Sequence, residues 1–354
     1  MKYKKILITG GAGFVGSNLT LRLRDKYPDI DFIVLDNLIR KGSELNVPRL
    51  KEQGVNFIKG DVRNSEDLDL AVGFDLIIEC SAECSVLAGY NDSARYLIDT
   101  NLMGAVNCLE FAKKNSSDMI FLSTSRVYPI EKLKQIPLDE GEFRFSISQD
   151  NGLNGIRNQG ISEDFPLEGV RSFYGASKLA AELMIAEYTA GYGIKSVINR
   201  CGVIAGPWQM GKVDQGVMAL WVARHIFKDK LTYIGFSGKQ VRDILHIEDL
   251  YNLIDLQINN IETYNGGIFN VGGGIKNSVS LRELTVICQK ITGEKIDIDS
   301  IDEIRQADIP YYVTDFSKIN ALGGWKPKRN VYDIVKDIAD WILKNKQILE
   351  KIFQ

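Results

Sequence analysis

Ile6-Leu7-Ile8-Thr9-Gly10-Gly11-Ala12-Gly13-Phe14-Val15-Gly16 is the stretch on which the fold turns. Ile6 to Thr9 is a short apolar run and reads as a buried strand. Gly10, Gly13 and Gly16 follow at once, and Phe14 to Arg24 has helical periodicity. A glycine-rich turn between strand and helix lets backbone N–H groups approach a pyrophosphate and lets the helix pack closely on a sheet. A glycine motif alone is a weak signal, but here strand, helix and a downstream acid agree. The stretch therefore predicts a dinucleotide site lined by Gly10, Gly13, Phe14, Val15 and Gly16.

The downstream acid is Asp36, at the end of a second apolar run, Phe32 to Leu35. A carboxylate there accepts hydrogen bonds from a ribose and repels a 2'-phosphate, which favours NAD over NADP. Arg40 and Lys41 leave NADP as the alternative. Asp61-Val62 follows a third run, Val55 to Ile58, where it could meet an adenine edge or serve as a turn. Leu76 to Ile78, Met119 to Leu122 and Ser196 to Asn199 continue the series. Helical stretches, Ala94 to Lys114 and Ser172 to Tyr192, lie between. Strands alternating with helices predict an α/β fold, a Rossmann-type doubly wound parallel sheet.

After Arg200 the pattern loosens. Gln215 to Phe227, Ile247 to Asn259, Leu281 to Ile291 and Val331 to Lys346 read as helices, with short strands at Leu231 to Ile234 and Ile268 to Val271. The expected division is 1–200 for the dinucleotide-binding domain and 201–354 for a smaller mixed substrate-binding region, with some segments returning to the first. Residues 139–168 are polar, glycine-containing and weakly periodic. So long an insertion is either a lid over substrate or a plain surface loop.

Within the Ser172 to Tyr192 helix, Tyr174-Gly175-Ala176-Ser177-Lys178 puts a phenol and an ammonium one turn apart, on one face. A free phenol, with a pKa of about 10, is a poor base at neutral pH. A neighbouring ammonium favours the phenolate. Together with a dinucleotide fold, the pair suits proton removal from a carbinol during oxidation. Ser123-Thr124-Ser125-Arg126-Val127-Tyr128 follows the Met119 to Leu122 strand, at the sheet end where doubly wound folds bind ligands. Thr124 suits the reacting hydroxyl and Ser125 a neighbouring one. The plainer reading of this stretch is a hydroxyl-rich turn.

Composition sets outer bounds. Of 354 residues, 45% are hydrophobic and 25% charged, as in an ordinary globular enzyme. A net charge of −3 argues against a nucleic-acid or anionic-membrane partner, so a substrate anion needs local arginine or lysine. Five cysteines and two histidines show no zinc-ligand spacing, and the expectation is no metal and reduced thiols. The basic start Met1-Lys2-Tyr3-Lys4-Lys5 leads into an apolar run too short for a secretion signal. No stretch is long enough to span a bilayer, and the expected location is the cytoplasm.

Several motifs together resemble the extended short-chain dehydrogenase/reductases, specifically the nucleotide-sugar epimerase/dehydratase branch. They are the glycine opening, Ser123 to Tyr128, Tyr174 to Lys178, Arg200, Gly206-Pro207, Val241 to Asp249, Phe269-Asn270-Val271-Gly272 and Leu322 to Pro327. The resemblance implies Thr124, Tyr174 and Lys178 as the catalytic set. It adds Asn37, Ser81, Asn101 and Arg200 to the NAD contacts. On the substrate side it implies Ser125, Arg126, Gln215, Arg242, Arg305 and Asp308, with both arginines at a diphosphate. It also implies a homodimer or homotetramer through the two long helices, whose apolar faces could equally be core.

Two departures stand out. Glu79-Cys80-Ser81-Ala82-Glu83 replaces the family's frequent His or Asn-Ala after the fourth strand. Thr124-Ser125-Arg126 lacks the acids that dehydratases and decarboxylases of the branch carry there. A guanidinium keeps its proton and cannot serve as that acid or base. A closer likeness is to the CDP-paratose 2-epimerase subgroup. It is carried by Arg126, Lys212 to Gly216, Gly238 to Asp243, Asn277 to Leu281 and the insertion. The expected activity is NAD-dependent epimerisation of a nucleotide-linked sugar through a transient keto-sugar. The alternatives are a UDP-sugar 4-epimerase, a nucleotide-sugar reductase and a non-catalytic NAD-binding regulatory protein.

Overall fold

The computed structural model describes residues 2–71, 73–90, 93–148, 152–157, 160–212 and 215–353. Two compact units divide the chain. The first comprises 1–127, 173–200 and 250–269, and the second 128–172, 201–249 and 270–354. The chain thus leaves the first unit before the insertion and returns to it twice.

Seven strands form one Rossmann-like sheet in the order Gly267–Val271, Ser196–Cys201, Asp118–Thr124, Leu76–Glu79, Lys5–Thr9, Asp31–Asp36, Asn56–Lys59. Lys5–Thr9 pairs in parallel with Asp31–Asp36 on one side and Leu76–Glu79 on the other. The strand order reverses between these two neighbours, so the switch point of the sheet lies at the ends of Thr9 and Glu79. The middles of the central strands are apolar because helices cover them. Leu7, Ile77, Met119 and Phe121 pack with Cys108, Ala112, Ala181 and Ile185 in one core. Residues two apart share a sheet face, and Thr9, Glu79 and Phe121 stand side by side in register. They form the last row of the face that this core covers.

The helix expected over Ala94 to Lys114 is not uniform. It runs as α-helix at Arg95–Ile98, widens to a π-turn at Asp99–Met103, and resumes as α-helix at Gly104–Asn115. Asn101, inside the π-turn, is buried. Its side chain accepts from the Glu83 backbone N–H at 2.8 Å and donates to the Glu83 carbonyl at 3.0 Å. Hydrophobic periodicity does not register such a local change of winding.

The second unit holds a small mixed sheet. Val241–His246 pairs with Val203–Ala205 and Tyr311–Tyr312 in parallel and with Ser278–Ser280 antiparallel. Leu281–Thr292 begins with a capping box between Ser280 and Glu283, and Val331–Lys344 with one between Asn330 and Asp333. The insertion folds into two short antiparallel pairs, Leu138–Glu140 with Phe145–Ile147 and Ile156–Arg157 with Gly160–Ile161. Its residues 149–151, 158 and 159 lie outside the described residues. No helix among the described residues is long and apolar enough to cross a membrane.

Candidate functional site

In the first unit the glycine turn sits at the switch point. Gly10 has φ +60°, and a Cβ there would lie 2.8 Å from the Cys80 carbonyl. Only glycine allows the turn to pass that closely under the fourth strand's exit. Gly16 is buried beneath the turn, while Phe14 and Val15 are half-buried. The helix Phe14–Lys26 starts from Gly13 with no side-chain cap and no acidic residue in its first turn. A Cβ on Gly13 would meet nothing nearer than the Gly10 carbonyl, 3.1 Å away. Uncapped first-turn N–H groups behind a bare glycine make a fitting cradle for a phosphate.

Asp36 stands beside this cradle. Its carboxylate accepts from Ala12 N–H at 3.0 Å and Leu38 N–H at 2.8 Å. Burial raises the carboxyl above its usual range, against the pull of these N–H groups. Asn37 donates to Asp61 at 2.9 Å, and Arg63 pairs with the same carboxylate at 2.7 Å. Val62 is buried in the core behind them. Ser81 is buried on the exit of the fourth strand. Asn101 links the neighbouring loop to the long helix by donating to Ser177 at 3.1 Å. Ser177 in turn donates to the Tyr174 carbonyl at 2.8 Å.

Thr124 ends its strand buried, and its hydroxyl accepts from the Arg126 backbone N–H at 3.2 Å. Ser125 and Arg126 occupy a half-buried 3-10 turn. The long helix spans Phe173–Tyr192 and buries Tyr174 and Lys178. Lys178 is almost fully enclosed, with its Nζ 3.8 Å from the centre of the Phe121 ring. Glu79 Oε2 lies 3.6 Å from the same Nζ. One turn further along the helix, Glu182 is buried. It accepts from Arg200 Nη2 at 2.7 Å and from Nε at 3.1 Å, and also from the Ser123 hydroxyl. The Arg200 guanidinium is therefore engaged by a carboxylate of its own unit.

In the second unit, Arg242 and Asp308 come together. Arg242 Nη2 donates to Asp308 Oδ1 at 2.9 Å and to the Ile309 carbonyl at 2.8 Å. Arg305 and Asp308 share a turn closed by Asp308 N–H on the Arg305 carbonyl at 3.1 Å. Gln215 pairs backbone to backbone with Lys212, and Val213 and Asp214 between them lie outside the described residues. His246 is buried, with Nε2 3.4 Å from Asp337. Trp221 stacks on Tyr233 and donates to Thr285 at 2.9 Å; Trp208 packs on Trp341.

The sequence does not single out Glu79 or Ser177 as site residues, yet both stand against the site in the structure. The signal for Glu79 was visible, since a carboxylate closing the apolar strand Leu76–Glu79 demands a buried partner. Ser177 carried none, because a serine on a helix is ordinary.

The sequence model described as the NAD dependent epimerase/dehydratase family matches residues 6–272. The CDP-paratose 2-epimerase of Salmonella typhi is 32% identical over 348 residues, covering 95% of this chain and 98% of that protein. Among solved structures, the dTDP-glucose 4,6-dehydratase DesIV of Streptomyces venezuelae, with NAD and TYD bound, has a TM-score of 0.79 at 26% identity. That match covers 98% of this chain and 99% of the other. The UDP-glucose 4-epimerase of Thermus thermophilus in complex with NAD has a TM-score of 0.78 at 25% identity, covering 96% of this chain and 99% of the other.

Proposed function

Because the chain belongs to the NAD dependent epimerase/dehydratase family, we propose that it inverts one hydroxyl-bearing carbon of a nucleotide-linked sugar. The likeness to CDP-paratose 2-epimerase favours C2 of a CDP-linked deoxyhexose. The observation that carries epimerisation over dehydration is the stretch Ser123-Thr124-Ser125-Arg126-Val127-Tyr128. It offers hydroxyls and a guanidinium but no carboxylate, so it lacks an acid to expel water. Inversion asks only for a reversible hydride acceptor and a group that takes a proton and later returns it.

Tyr174 is that group. Its phenol removes the proton from the sugar hydroxyl and restores it after the ketone has turned over. Lys178 favours the phenolate in between, and Thr124 orients the hydroxyl. The Gly10–Gly16 turn and Asp36 suit NAD, with Asn37, Asp61, Val62, Ser81 and Asn101 around them. When bound, NAD supplies a reversible hydride acceptor. Arg200, its guanidinium paired with Glu182, joins these NAD contacts. In the second unit Arg242 and Arg305 pair with the diphosphate, Asp308 occupies Arg242 until that anion displaces it, and Gln215 contributes on the substrate side. Ser125 and Arg126 bind the sugar.

A panel of CDP- and UDP-linked sugars followed by NMR tests the reading. Inversion should occur with no change in mass. A deuterium placed on the inverted carbon should remain there. A product lighter by one water would replace this reading with a dehydratase, and loss of the label to solvent would replace the oxidation step with deprotonation beside a carbonyl.

A further inference from the structure

The Lys178 ammonium has a counter-charge of its own, supplied by the sheet. Lys178 and Glu79 have side chains only 1% and 2% exposed, with Nζ and Oε2 3.6 Å apart. That separation is longer than a hydrogen bond but still within the reach of an ion pair. Glu79 stands in register between Thr9 and Phe121, and the ammonium lies over the Phe121 ring. Lys178 is thus held on two sides by one row of the sheet, by an ion pair and a cation–π contact. The Cys108 thiol, from the Gly104–Asn115 helix, also interacts with both members of the pair. Its burial and the nearby Glu79 keep it protonated. Burial raises the Glu79 carboxyl, while Lys178 and Ser81 pull it back.

An isolated ammonium in such a place is costly, and removing one member of a buried pair leaves the other uncompensated. The consequence reaches Tyr174, one turn away on the same helix. An uncompensated ammonium would hold the phenol too far toward phenolate. In an inversion the same oxygen must both take a proton and give it back, which works best when neither form dominates.

We propose that Glu79 is a positioning residue for Lys178, a buried counter-charge that holds the ammonium against Phe121 and weakens the field it exerts on Tyr174. The proposal rests on the reading of Tyr174 and Lys178 as the reacting pair.

The test needs no substrate. The tyrosinate absorbance of the full chain minus that of the Tyr174→Phe chain gives the titration of Tyr174 alone. In Glu79→Gln, which keeps size and loses charge, the midpoint should fall by about one pH unit. In a Lys178→Met background the same substitution should leave the midpoint in place, because the effect runs through the ammonium. An unchanged midpoint in folded Glu79→Gln overturns the proposal, and so does an equal shift without Lys178. Should the Gln chain not fold, Glu79→Asp withdraws the charge by one methylene and should lower the midpoint by a smaller step; no step overturns it. A Tyr174→Phe chain that still inverts sugar would remove the catalytic reading alone, leaving the titration to decide the pairing.

Discussion

Lys178 with Glu79 in the first unit and Arg242 with Asp308 in the second each pair a cation of the proposed site with a carboxylate, and the two pairs are built oppositely. Lys178 and Glu79 are sealed in the core of the first unit, close but without an ideal hydrogen bond. Arg242 and Asp308 make a good 2.9 Å bond in the second unit but keep 16% and 20% of their side chains exposed. A sealed pair cannot exchange partners, so its effect is to fix a charge in space. A part-exposed pair contributes little stability and can be traded for an incoming anion. On the proposed reading the difference separates tuning from binding: one carboxylate would adjust a neighbour permanently, and the other would keep a seat occupied until substrate arrives.

The largest effect should come from the tuned oxygen itself. Tyr174→Phe removes one hydroxyl and should cost on the order of a hundredfold to ten-thousandfold in turnover while the chain still folds and binds NAD. Circular dichroism and calorimetry with NAD check the second half of that statement. Near-normal turnover would make the sealed pair a purely structural feature.

Loss of the exchangeable pair should have an intermediate effect and act on binding. Arg242→Ala and Arg305→Ala should each weaken nucleotide-sugar affinity on the order of tenfold, with NAD affinity unchanged. Asp308→Asn should act in the opposite direction, tightening binding of inorganic diphosphate by roughly fivefold, because it releases Arg242 from a competing anion. Titration calorimetry reads all three. If Asp308→Asn weakened binding instead, the seat would need its carboxylate and the contrast would fail.

The smallest effect concerns a third pair, Asp61 with Arg63, which lies nearer the surface. Burial alone would raise the Asp61 carboxyl, but Arg63 and Asn37 outweigh it and bring it down to about 2. A depressed carboxylate adds stability that is present above its unfolded pKa of about 4 and disappears as pH falls toward the folded value. Melting temperatures across that acid window should therefore drop less steeply in Arg63→Ala than in the parent chain. Parallel curves would place the pair among surface contacts of no consequence.

Much of this arrangement can be read from the chain. Ile6 to Gly16 announces strand, turn and helix because each carries its own local signal: apolar run, glycine spacing, helical period. Asp36, Thr124, Tyr174 and Lys178 are legible because they follow those elements at fixed offsets. The Glu79–Lys178 pairing is not, since it depends on which strand neighbours which and on a register shared by Thr9, Glu79 and Phe121. The hairpins of the insertion were hidden by strands only two or three residues long, below the length at which alternation shows. Arg242 with Asp308 was half legible. Both residues were named from the sequence, but their mutual bond joins positions 66 apart.

The π-turn at Asp99–Met103 gives the long helix a seam. A winding of i to i+5 accommodates one residue more than an α-turn, and that surplus can be lost without losing the helix. Removing it would return the wide turn to an α-turn and leave the flanking halves in register, because the turn exists to absorb the extra residue. Asn101 would then turn away from Glu83 and Ser177, and the loop beyond the fourth strand would lose its clasp. The seam is therefore a site where the chain could drift in length by one position and change its chemistry without changing its fold.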